Sequence, residues 1–201
     1  MNPATRSLAA RLPRLVVLTD RTQLPARRCL VETIIECRRA GLGAVVVREH
    51  DLEAYARRAL VAQLAQVPGL WVISSRLPDP AAHGLHLASH QPPPRPWSGR
   101  ARRWGRSCHS RSEVARAAAE GAAWATLSPF AATRSKPGYG PALPADAWAE
   151  HDIPVLALGG LTPDNAARAR EAGAYGVAVM GEVMRADRPG DVVDQLLEAV
   201  R

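Results

Sequence analysis

Short runs of β-branched and other apolar residues recur along this chain at fairly even spacing. Between them lie Ala-, Arg- and Glu-rich stretches of helical character. The apolar runs predict eight strands, over 15–20, 44–50, 70–75, 84–89, 102–109, 124–130, 154–160 and 176–180. The intervening pattern predicts helices most clearly over 30–40, 52–66, 112–120, 163–172 and 191–200. Several of these stop at glycine, as in Ala40-Gly41, Glu120-Gly121 and Ala172-Gly173, the usual way for a helix to end before the next strand.

Strands that alternate with helices imply right-handed βαβ units and a parallel sheet, and eight such units imply a closed barrel. The expected fold is therefore α/β, a compact (β/α)8 TIM barrel, with residues 1–201 as a single domain. At about 25 residues per unit it is smaller than most such barrels. An open dinucleotide-binding sheet has little support, since no Gly-x-Gly-x-x-Gly follows the first strand. The segment 91–99, with four prolines, stands where a helix is expected after strand four and reads as a stiff surface excursion.

Composition narrows the partners. The chain carries 26 basic and 19 acidic residues, a net charge of +7, which raises the question of nucleic acid. The arginines are spread from Arg6 to Arg201, there is one phenylalanine, and no zinc-finger or RNA-binding signature is present, so no nucleic-acid partner is expected. Cys29, Cys37 and Cys108 are odd in number and far apart, which fits a reduced, cytoplasmic chain. The early run Leu15-Val16-Val17-Leu18 is too short for a signal-peptide core or a membrane span, so no membrane partner is expected either. Whether the chain forms a homo-oligomer stays open. Lys136 is the single lysine among those 26 basic residues, in a loop rich in glycine and hydroxyls.

In a barrel of this kind the site lies at the C-terminal ends of the strands. Those ends are polar here: Arg48-Glu49-His50-Asp51, Ser74-Ser75-Arg76, Ser107-Cys108-His109-Ser110 and Ser128-Pro129-Phe130. Alternation along a strand puts Val46, Arg48 and His50 on one face, and Ser107 and His109 on one face. A histidine at a strand end is well placed for proton transfer, so His109 is the first catalytic candidate, whereas His86, within a strand, reads as structural. Gly159-Gly160 after strand seven and Met180-Gly181 after strand eight read as a phosphate site. The loop Thr133-Arg134-Ser135-Lys136-Pro137-Gly138-Tyr139-Gly140 adds two hydroxyls, a cation and a glycine-rich hinge suited to closing over a phosphate ester.

These motifs together resemble the thiamine phosphate synthase/TenI superfamily. The resemblance runs through Val47-Arg48-Glu49-x-Asp51, Gly84-Leu85-His86-Leu87, Gly105-Arg106-Ser107-Cys108-His109-Ser110, the 128–140 loop, Leu158-Gly159-Gly160-Leu161-x-x-x-Asn165 and the segment 172–180, and so covers nearly the whole chain. It implies the barrel fold and a small-molecule thiazole phosphate as partner. It also implies phosphate contacts at Thr133, Ser135, Lys136, Gly159, Gly160, Met180 and Gly181, and substrate contacts at Arg48, His50 and Ser75.

Within that superfamily the synthases join a pyrimidine diphosphate to a thiazole phosphate with Mg²⁺, and several of their parts are replaced here. Ser74-Ser75 stands for Asn-Asp after strand three, Ala88-Ser89-His90-Gln91 lacks the acidic residue after strand four, and Val46 and His50 stand for a Gln and a Lys. The strand-five motif is similar to that of the TenI thiazole tautomerases. The resemblance therefore implies an isomerase without metal or other cofactor, with His109 and Ser107 as catalytic residues aromatising a carboxythiazole phosphate. Two alternatives stay open. One is a thiamine phosphate synthase, a transferase that works with Mg²⁺ and has an unusual diphosphate ligation using Glu49, Asp51 or a loop residue. The other is a non-catalytic barrel that binds phosphate esters.

Overall fold

The computed structural model describes residues 12–94, 103–132 and 140–201. Eight parallel strands close on themselves in sequence order: β1 (Leu15–Leu18), β2 (Ala44–Val47), β3 (Trp71–Ser75), β4 (Gly84–Leu87), β5 (Trp104–Cys108), β6 (Trp124–Leu127), β7 (Val155–Leu158) and β8 (Gly176–Val179). The helices are α1 (Leu30–Arg39), α2 (Ala54–Leu64), α3 (Arg111–Ala119), α4 (Pro163–Glu171), α5 (Gly181–Met184) and α6 (Pro189–Ala199). Short 3-10 turns follow β1 (Arg21–Gln23) and precede β7 (Ala145–Trp148). The expected compact (β/α)8 barrel is the observed fold.

Two apolar layers hold it. Outward-facing strand residues such as Leu15, Val17, Val45, Val72, Leu127 and Val177 pack against Ile34, Val61, Val114, Ala169 and Leu196 on the surrounding helices. The inward-facing alternates, Val16, Leu18, Ala44, Val46, Ile73, Trp124, Leu156 and Ala178, fill the barrel's lower interior. Trp124 is the largest of these and is 1% exposed, so it sets the shape of its neighbours. A Cβ on Gly105 would lie 2.1 Å from Trp124 Nε1, so β5 carries glycine where the indole needs the room. Above this plug the inward positions turn polar, with Ser75, His86, Ser107, Thr126 and Ser128 forming the floor of the mouth. Buried polar side chains of this kind persist only when they find hydrogen bonds, which marks the change from packing to function.

Several boundaries differ from the sequence pattern. Strands β2, β6 and β7 stop at Val47, Leu127 and Leu158, short of the predicted ends, because each chain leaves the ladder where the barrel opens. Arg48 and His50 therefore stand just beyond β2 rather than on it. The periodicity also missed α5, since four residues are too few to show a helical repeat. No helix joins β3 to β4, and no helix is seen in the described part of the connection after β4. The proline-rich segment is described as far as Pro94. Among the described residues no helix is long and apolar enough to cross a membrane.

Candidate active site

A cavity of about 560 Å³ opens at the C-terminal ends of the strands, a size suited to small-molecule substrates. Its wall is built from successive strand ends: Arg48 and His50 after β2, Ser75 and Arg76 at β3, His86 on β4, Ser107 and His109 at β5, and Ser128 after β6. Gly159 and Gly160 follow β7, and Met180, Gly181, Glu182 and Arg185 follow β8. The structure thus brings together the described candidates for substrate, catalytic and phosphate contacts, but not Glu49 or Asp51. Thr133, Ser135 and Lys136 lie outside the described residues, although Ala132, which precedes them, is on the cavity wall.

Local contacts fix the β2–β3 side. Buried Arg57 of α2 donates to Val47 O (3.2 Å), Ser74 Oγ (3.1 Å) and Ser75 O (2.8 Å), tying the ends of both strands to one guanidinium. Thr19 Oγ1 accepts the Arg48 amide at 3.0 Å, and the Arg48 guanidinium lies against the Met180 thioether. His50 Nε2 is 3.4 Å from Ser75 Oγ. Loss of solvent around its ring, followed by the fields of Arg76, Arg48 and Arg57, pushes His50 down to about 4, so it is neutral near pH 7.

Glu49 and Asp51 do not join the cavity. The Glu49 carboxylate is buried and accepts from the Arg21 amide (3.2 and 3.3 Å) and the Arg21 guanidinium (3.1 Å). The same guanidinium reaches Asp51 at 2.7 Å, so both acids serve to anchor the turn after β1. The expectation that either could take part in diphosphate ligation is not met, since Arg21 holds both and neither lines the cavity.

On the opposite side, Ser110 Oγ accepts the Glu113 amide at 3.2 Å, and the Glu113 carboxylate accepts the His109 amide at 2.7 Å. This Ser-x-x-Glu start of α3 fixes the backbone that carries His109. His109 Nδ1 lies 3.1 Å from Ser128 Oγ, while Ser107 Oγ lies 3.1 Å from His86 Nε2. Ser107 is thus paired with His86 rather than with His109. Thr126 Oγ1 is 3.3 Å from the same His86 nitrogen, and burial, with a smaller effect of Arg48, pushes His86 down to about 4. His86 is buried and hydrogen-bonded as a structural histidine would be, and it also lines the cavity. The signal was there in the alternation: Ser75, Ser107 and Thr126 are polar at inward positions of neighbouring strands.

The glycine turn after β7 has a defined shape. Gly159 (φ +95°) and Gly160 (φ +67°) both occupy the left-handed region. A Cβ on Gly160 would lie 2.3 Å from Ala132 O, so the turn packs directly on the backbone from which the 133–139 loop departs. Asn165 holds the turn from α4, donating to Gly160 O at 2.8 Å and accepting the Thr162 amide at 2.9 Å.

Residues 15–183 match the family model described as thiamine monophosphate synthase. The chain belongs to the thiamine monophosphate synthase family. A thiamine-phosphate synthase of Roseiflexus castenholzii is 33% identical, with 86% of this chain and 82% of that one covered. One from Methanoculleus marisnigri is 35% identical, covering 85% and 87%. Among solved structures, thiamine phosphate pyrophosphorylase of Pyrococcus furiosus matches with a TM-score of 0.76 at 22% identity, over 93% of this chain and 95% of that one. A geranylgeranylglyceryl phosphate synthase of Thermoplasma acidophilum shares the fold at 16% identity and a TM-score of 0.68, over 92% of each chain.

Thiamine monophosphate synthase family membership agrees with the resemblance read from the motifs, but the placement among the tautomerases is corrected. The curated relatives named here are synthases at 33–35% identity across most of their length, which favours a transferase over an isomerase. The tautomerase expectation rests on replaced side chains in strand two and after strands three and four, and on the likeness of the strand-five motif. Those replacements change how charge is held at the mouth, and they leave the cavity and the glycine turns intact.

Proposed function

We propose that the protein is a thiamine-phosphate synthase, a transferase that joins a pyrimidine diphosphate to a thiazole phosphate and releases diphosphate. The observation that carries this reading is similarity over most of the chain to proteins so named. The cavity supports it chemically. The Gly159-Gly160 turn, Met180 and Gly181 line the cavity and suit the thiazole phosphate, and the sequence that continues from Ala132 on the wall supplies Thr133, Ser135 and Lys136, the residue types that such a phosphate needs. His86, Ser107, His109 and Ser128 provide the hydrogen-bonding side chains that a pyrimidine ring requires, and Arg48 and Arg76 flank them with positive charge. Holding both substrates in one cavity converts a bimolecular displacement into a positioned one, and the charge leaving on diphosphate then needs only fixed partners.

The synthases this chain resembles use Mg²⁺, whose preferred ligands are carboxylates and substrate oxygens. The residues present do not fit it. Glu182 is the one carboxylate on the cavity wall, and no group of three potential ligands occurs among the described residues. Residues 1–11, 95–102 and 133–139 contain no Asp or Glu, so no acidic side chain can arrive from there.

Complementation tests the reading. Expression in a bacterium deleted for its own synthase restores growth without thiamine if the protein couples the two substrates. Failure to restore growth with soluble protein present counts against it.

A further inference from the structure

Diphosphate carries roughly three negative charges near neutral pH, and a site without metal must meet them with protein groups. The mouth of this barrel has those groups. Arg48, Arg76 and Arg185 line the cavity with the imidazoles of His50, His90 and His109, against Glu182 alone. Every ion pair formed by a mouth-side acid goes elsewhere: Glu49 and Asp51 are both taken by Arg21. Among the described residues neither Arg48 nor Arg76 is ion-paired, and no Asp or Glu lies outside them to supply a partner.

The two arginines leave neighbouring strand ends, and both act electrostatically on His50, while the Arg48 guanidinium also touches Met180. Strands β2 and β3 pair Val47 with Ser74, so Arg48 and Ser75 leave adjacent strands at the same level and Arg76 follows at once. Arg57 binds both strand ends, and His50 stands beside Ser75. Arg76 holds its place through its own backbone: its amide donates to His86 O at 2.8 Å, and its carbonyl accepts from Gln91 Nε2 at 3.0 Å. Gln91 is thus employed in positioning Arg76, with its amide oxygen accepting the Ala88 amide at 2.9 Å. Where a metal-binding mouth needs carboxylates, this one has a serine, a glutamine and an arginine that they frame.

Resting on the synthase reading, we propose that this mouth binds diphosphate directly, through the guanidinium groups of Arg48 and Arg76, without a bridging divalent cation. Guanidinium groups suit the task, since they offer paired N–H donors to phosphate oxygens and remain charged at any working pH. In the reaction the bond between the pyrimidine's methylene carbon and the diphosphate oxygen breaks as the bond from that carbon to the thiazole nitrogen forms. The electron pair leaves on the diphosphate oxygen, where the two arginines meet it. Burial of His50, and after it the field of these cations, keeps that ring neutral, which avoids a further cation with no partner.

Calorimetry with inorganic diphosphate tests the proposal, run in excess EDTA and again with Mg²⁺, beside turnover of the two synthase substrates in the same buffers. The expected result is binding in EDTA within about threefold of that with Mg²⁺, weakened tenfold or more in R76Q and in R48Q. R116Q, on the exposed face of α3, should bind like the wild type. Melting curves establish that each variant is folded, and R76K, which keeps charge but loses the paired donors, should fall between wild type and R76Q. Binding seen only with Mg²⁺, or affinity unchanged in both R76Q and R48Q, overturns the proposal. Product formed with Mg²⁺ but abolished by EDTA overturns it while leaving the synthase reading standing. Diphosphate bound in EDTA with no product in either buffer supports the anion site and removes the synthase reading.

Discussion

His86 Nε2 and Ser107 Oγ, on neighbouring strands, lie 3.1 Å apart on the floor of the cavity. The ring is 4% exposed, and its pKa falls from 6.5 to about 4 because burial, assisted by Arg48, disfavours the charged form. Between those two values the unfolded chain binds a proton that the folded chain does not. Stability is therefore intact above pH 6.5 and declines as pH falls toward 4. The shift corresponds to at most about 3 kcal/mol. Urea denaturation of wild type and H86Q from pH 7.5 to 4.5 should show a smaller acid-induced loss in H86Q; parallel profiles would contradict the assignment.

Gly105 and Trp124 make a second testable pair. Gly105→Ala places a methyl against the indole, which is itself packed on Trp71 at a centroid distance of 5.5 Å. Overpacking of this kind costs about 1–3 kcal/mol. A lowered Tm is the expected outcome, and G105A combined with a smaller residue at Trp124 should lose less than the sum of the two single changes. Strict additivity would mean that the two positions do not compete for the same volume.

Gly160 connects the glycine turn to the loop after β6. Gly160→Ala meets both a left-handed backbone and two carbonyl oxygens, Ala132 O at 2.3 Å and Ala131 O at 2.6 Å. The loop base must then move. Thiazole-phosphate affinity by calorimetry should fall tenfold or more, while the far-UV spectrum stays that of a folded barrel. Wild-type affinity in G160A would separate this turn from the phosphate subsite.

Much of this architecture is legible in the sequence, since eight short apolar runs between helical stretches have few other closed arrangements. The strand ends are harder to read. Arg48 and His50 continue the alternation of β2 beyond the last ladder bond, so a pattern of faces overestimates the strand by three residues. Helix α5 is too short to have a period, and the roles of Glu49 and Gln91 depend on Arg21 and Arg76, contacts that no local pattern announces. His86 is the buried, hydrogen-bonded strand histidine that its position suggests, and its place on the cavity wall shows only once its neighbours across the barrel are known. The choice between isomerase and transferase failed for a different reason. Lost carboxylates were read as lost chemistry, although the arginines at the same mouth can carry the charge that a metal would.

Synthase activity is read by incubating the purified protein with the pyrimidine diphosphate and the thiazole phosphate and quantifying thiamine phosphate and diphosphate by chromatography. Both products are expected in equal amounts, over many turnovers per cavity and in proportion to enzyme. No thiamine phosphate above the enzyme-free background, with and without Mg²⁺, from protein that binds the thiazole phosphate would contradict that activity.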